Sequence, residues 1–130
     1  MSSWEPIGIT SKDAVDVEGD QVRVVWSLTR RPDIDWAREF REARAERHGS
    51  PEFVELPEPD VRLAGTISWT VPTGDLRGAV EYVRSRVDRA NRAYRELLAH
   101  REVERQRREE EERVKAARLE AAQRALNELD

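Results

Sequence analysis

The chain has 130 residues, of which 38% are charged, carries a net charge of -4 and contains no cysteine. That composition excludes a disulfide framework and any zinc site built on cysteine, and no run of about 18 apolar residues offers a membrane span. The mean hydropathy of -0.83 would suit a disordered chain, but four Trp and well-phased Val and Leu positions argue for a folded head with the polarity concentrated in the tail.

The amino terminus, Met1-Ser2-Ser3-Trp4-Glu5-Pro6, lacks a basic stretch followed by an apolar one, so a soluble cytoplasmic protein is expected. Ile7, Ile9, Val15 and Val17 then alternate as a strand would, with Gly8 and Ser11-Lys12-Asp13 interrupting the pattern. Glu18-Gly19-Asp20 reads as a turn. From Gln21 to Thr29, Val22, Val24, Trp26 and Leu28 fall on one face and Arg23, Ser27 and Thr29 on the other, with Val25 on the polar side as the one exception, which predicts a half-buried strand.

Arg30-Arg31-Pro32 stops that strand, and Asp33 is placed to cap a helix over about Ile34 to Arg47, with Asp35 near the positive end of its dipole. Trp36, Ala37, Phe40 and Ala43 form its apolar stripe. Arg44, Arg47 and His48 favour its carboxyl end, and Gly49-Ser50-Pro51 closes it. Pro57 and Pro59 restrict the next stretch to a short edge strand at Phe53 to Leu56. Val61 to Val71 reads as one long strand: its odd positions are Val61, Leu63, Gly65, Ile67, Trp69 and Val71, its even ones Arg62, Ala64, Thr66, Ser68 and Thr70. One face is apolar and the other small and polar, so the sheet is to be covered on one side only.

Pro72 ends the strand and Thr73 is a candidate cap for the last helix. From Ala79 to Asp130 there is neither proline nor glycine, so about fifty residues read as one helical track, roughly 75 Å long. Its seam, Leu76, Val80, Val83, Val87, Ala90, Tyr94 and Leu97, steps by four and three as a helix on a sheet or a coiled coil would. The same positions then become Arg101, Glu104, Arg108 and Glu111, which no core accepts. Glu104 with Arg108, Glu109 with Arg113 and Glu111 with Lys115 are spaced to hold a solvated helix together. The stripe resumes at Val114, Ala117, Ala121, Ala122, Ala125, Leu126 and Leu129, joined by Leu119, and its small residues permit close approach of a partner. Three zones follow: a head over residues 1–98, a charged helical spacer over 99–113 and an Ala/Leu amphipathic end over 114–130.

Chemistry finds little to stand on. His100 and Glu104 are four apart on a helix, but two ligands are too few for a metal. Glu52, Glu55, Glu58 and Asp60 cluster around two prolines without the spacing of a cation loop, and fit an edge-blocking role. None of Ser27, Ser50, Ser68 or Ser85 stands in a strand-to-helix elbow. Thr73-Gly74-Asp75-Leu76-Arg77-Gly78 lacks the lysine and glycine spacing of a phosphate loop. No cofactor is expected.

Charge is divided unevenly: Met1 to Pro72 has 9 basic and 14 acidic residues, a net -5, and the remainder 14 and 13, a net +1. Neither is a one-sign field that would draw nucleic acid from a distance. Arg77, Arg84, Arg86, Arg89, Arg92 and Arg95 do enrich the early helix in positive charge, and Arg77, Arg84, Arg92 and Arg95 are the residues a nucleic-acid-binding accessory protein would use. Glu81, Asp88 and Glu96 intervene, so the arginines fit a solvated outer face better.

The order of elements predicts an α+β fold: an antiparallel sheet of three or four strands covered on one face by two helices, the second continuing as a stalk or coiled-coil segment. The function expected from that architecture is a non-enzymatic assembly or adaptor protein, with a nucleic-acid-binding accessory protein as the alternative and a small enzyme with a site at the sheet edge near Glu52 to Asp60 as the least favoured reading. The adaptor would act through Val114, Ala117, Ala121, Ala122, Ala125, Leu126 and Leu129 on a second copy of itself or another helical protein. Neither a membrane nor a metal is called for.

Overall fold

Val22, Val24, Trp26 and Leu28 are all buried, between 1% and 9% exposed, because their period of two sends them to one face of strand β2 (Gln21–Leu28). The computed structural model describes residues 4–42 and 57–129. Expectations for Ala43, Arg44, Arg47, His48, Gly49-Ser50-Pro51, Glu52, Glu55 and the edge strand Phe53 to Leu56 lie outside the described residues, as does Asp130.

Among the described residues four antiparallel strands form one sheet in the order β1-β2-β4-β3, with β1 at Ile9–Glu18, β3 at Asp60–Arg62 and β4 at Thr66–Pro72. Gly19 closes the β1–β2 hairpin at φ 62°, a left-handed conformation that glycine adopts without a Cβ penalty. Val22 pairs with Val71, Val24 with Trp69 and Trp26 with Ile67, so the large side chains of the two central strands share a face. Burying each contributes about 1.5–3 kcal/mol, which a one-residue slip would forfeit.

Two elements differ from expectation. The stretch Val61 to Val71 is a hairpin, not one strand: Val61 pairs with Ile67 and Arg62 with Thr66, and Leu63-Ala64-Gly65 is the loop. Gly65 takes φ 106°, donates its amide to the Arg62 carbonyl at 3.0 Å and accepts the Leu28 amide at 2.9 Å. Leu63, assigned to the apolar face, is 45% exposed at the loop. Strand β1 runs through Ser11-Lys12-Asp13 without a break, because main-chain pairing to β2 continues there, with register shifts between Ile9 and Ser11 and between Ala14 and Asp16. Val15 and Val17 are exposed; it is Ile7, ahead of the strand, that enters the core.

Helix α1 (Ile34–Glu42) buries Trp36, Ala37 and Phe40. Asp33 caps it as its type and position demand, Oδ1 accepting the Trp36 amide at 2.8 Å. A 3-10 turn at Thr73–Asp75 leads into helix α2 (Leu76–Asn127), 52 residues long. Thr73 makes no side-chain cap; its amide and hydroxyl both donate to the Asp20 carbonyl, at 2.8 and 3.1 Å, which ties the start of α2 to the β1–β2 turn. Both helices pack on one face of the sheet. Thr70 is exposed and Thr66 and Ser68 half-buried on the other. By packing, the chain falls into two units, Met1–Tyr94 and Arg95–Asp130; the sheet and α1 belong to the first.

Candidate protein-interaction surface

Within the first unit α2 buries Ala79, Val83, Arg86, Val87, Ala90 and Tyr94. Leu76, assigned to the seam, is 40% exposed, so the buried arc starts one turn later. Arg86 is the residue that composition rules hide: it is fully buried. Its Nε and Nη2 donate to the Phe40 carbonyl at 3.1 and 2.6 Å, and Nη2 also reaches the Arg41 carbonyl at 2.9 Å. Nη1 pairs with Glu58, and the guanidinium lies 4.6 Å from the centre of the Phe40 ring. The signal was its spacing, three and seven residues after Val83 and Ala79 on the buried arc. Its place is structural and it leaves the solvated set of arginines.

Arg77, Arg84, Arg92 and Arg95 are all exposed. At about 100° per residue they fall within about 80° of one another, closer than a spread around the cylinder, but Glu81 and Asp88 stand in the same arc. The remaining acidic candidates are used locally: Glu58 on Arg86, and Asp60 on Arg62 at 2.7 Å. Among the described residues no three His, Cys, Asp or Glu gather as a metal site would require, and Glu104, next to exposed His100, pairs with Arg107 at 2.9 Å. No helix among the described residues is long and apolar enough to cross a membrane.

The second unit is a helix whose side chains are almost all in solvent. Ion pairs brace its charged part, in a different set from the one spacing favoured. Arg105 bridges Glu102 and Glu109 at 2.5 and 2.6 Å, Arg107 bridges Glu104 and, at 3.9 Å, Glu111, and Arg113 meets Glu110 at 2.9 Å. Glu104 and Glu109 thus pair with Arg107 and Arg105 rather than with Arg108 and Arg113, since an arginine reaching both ways along the helix satisfies two carboxylates at once. The hydrogen bond from Arg105 holds the Glu102 carboxyl below its usual 4.5 and raises the arginine in turn.

Val114, Ala117, Ala121, Ala122, Ala125, Leu126 and Leu129 are all exposed, Val114 at 42%, Leu126 at 61% and Leu129 at 72%. Together they span about half of the helix circumference at 100° per residue. Leu119, 70% exposed, joins Ala122, Leu126 and Leu129 in steps of three, four and three, the spacing of a knobs-into-holes seam. Lys115 and Arg118 fall inside the same arc, where their stems extend the apolar surface while their charges stay in water. No family model, curated protein or solved structure matches the chain.

Proposed function

We propose that the protein is a non-enzymatic, cytoplasmic assembly or adaptor protein that acts through protein contacts of its last helical segment, as a coiled-coil partner of itself or of another helical protein. One observation carries this reading: four large apolar side chains, Val114, Leu119, Leu126 and Leu129, stand between 42% and 72% exposed on one helix. Small alanines lie between them, and an apolar patch of that kind marks a contact surface. Burying three leucines and a valine against a partner would contribute several kcal/mol before the costs of association, at about 1.5–3 kcal/mol each. The ion pairs from Glu102 to Arg113 support the same reading, because they keep the preceding stretch helical without a core of its own.

The test is the mass of the native chain by light scattering, with and without Val114 to Asp130. The full chain should run as a complex and the shortened one at its own chain mass. Two monomers of unchanged stability would overturn the reading.

A further inference from the structure

Among the described residues the helix layer leaves one strand of the sheet, β1, uncovered. Lys12 pairs with Trp26 and Ala14 with Val24, so these β1 residues point to the same side as the core, yet β1 is exposed along nearly its whole length. Between its inner face and α2 lie two adjoining cavities that share Lys12. One, of about 210 Å³, is lined by Ala14, Val24, Trp26, Leu76, Ala79 and Val80, together with Asp13. The other, of about 310 Å³, has Arg84 and Asp88 on the helix side and Thr10 and Ser11 on the strand side. Among the described residues neither Lys12 nor Arg84 is in an ion pair. β1 is also an edge of the sheet among the described residues, and its regular pairing with β2 over Ser11 to Ala14 is bracketed by the two register shifts.

We infer that this groove binds a short extended peptide that adds to β1 as a fifth strand, presenting inward an apolar side chain and a carboxylate two residues apart. The spacing follows from Lys12 and Ala14, which are themselves two apart on the inner face. The main chain of Ser11 to Ala14 supplies the ladder, the cavity floored by Trp26 takes the apolar group, and Lys12 with Arg84 takes the carboxylate, as in other cases of strand addition beside a helix. Asp88 sets a limit on how much negative charge the far end accepts. The two bulges confine the addition to about four residues, which keeps the edge from templating open-ended association.

The experiment is a titration of the ¹⁵N-labelled full chain with the peptides acetyl-Thr-Leu-Thr-Glu-Thr-amide and acetyl-Thr-Glu-Thr-Leu-Thr-amide, which cover both strand directions. One of them should shift the amides of residues 11–14 and 76–84 in a saturable way. Replacing its Glu by Lys, or introducing Lys12→Glu or Leu76→Asp into the protein, should weaken binding at least tenfold; both protein positions are exposed, so the fold is kept. Absence of shifts, shifts elsewhere, or binding indifferent to these changes would overturn the proposal. So would octanoate producing the shifts when the peptides do not, which would make the occupant an anionic amphiphile. Shifts of the same amides on simple dilution of the free chain would make it a second copy, and would overturn the proposal as well.

Discussion

Asn91 on α2 holds the main chain of Ile7 in both directions, its Oδ1 accepting the Ile7 amide at 2.9 Å and its Nδ2 donating to the Ile7 carbonyl at 2.8 Å. A side-chain amide here does what a neighbouring strand would do, and the same Oδ1 accepts Trp36 Nε1 at 3.0 Å. One residue thereby fastens the segment before β1, helix α1 and helix α2 to each other.

Asn91→Ala removes three hydrogen bonds and leaves partly buried groups without partners. A loss of about 2–4 kcal/mol is expected in urea unfolding, since each orphaned group costs about 1–3 kcal/mol. Asn91→Asp keeps the acceptor and should retain part of that stability.

Arg86→Met should destabilise by about 2–4 kcal/mol, because the Phe40 and Arg41 carbonyls lose their donor. Glu58→Gln should cost under about 1 kcal/mol, its side chain being 45% exposed. Comparable losses from the two changes would show that the ion pair, rather than the carbonyl contacts, is what Arg86 is there to make.

Two of the buried tryptophans of the head, Trp26 and Trp36, should respond differently. Trp26 is 1% exposed and its Nε1 has no hydrogen-bond partner among the described residues, whereas Trp36 donates to Asn91. Trp26→Phe sheds an unsatisfied donor together with some packing, while Trp36→Phe also gives up a satisfied bond. Chemical denaturation should find Trp36→Phe the costlier by about 1 kcal/mol.

Much of this head was legible in the chain. Period-two spacing identified β2, and Asp33 announced its helix, because both signals are local. The hairpin of β3 and β4 hid behind its own regularity: Val61, Ile67, Trp69 and Val71 keep one parity across the loop, and only Gly65 marked the turn. Strand β1 carries little hydrophobic signal because its face is uncovered, and Asn91 acts over 84 residues of sequence, beyond the reach of any local pattern. The stripe from Val114 to Leu129 was visible because its apolar positions recur at helical spacing after the charged spacer. Arg86 was missed because charge is normally taken as a sign of solvent.

Acid should loosen the last helical segment. The carboxyl of Glu102 is held below its usual 4.5 by Arg105, so its contribution is fully present above that value and is lost as pH falls through the depressed one. Helical circular dichroism should decline in that window, and Glu102→Gln should flatten the decline. A profile unchanged by that substitution would mean the pair does not act on the helix.

The most direct measurement of the central claim is the mass of the chain purified under native conditions, compared with that of a Leu126→Glu, Leu129→Glu variant. Both side chains are more than 60% exposed, so the head should fold as before. A complex in the first sample and a mass of 15.1 kDa in the second is the predicted result. The same mass in both would contradict an association through this helix.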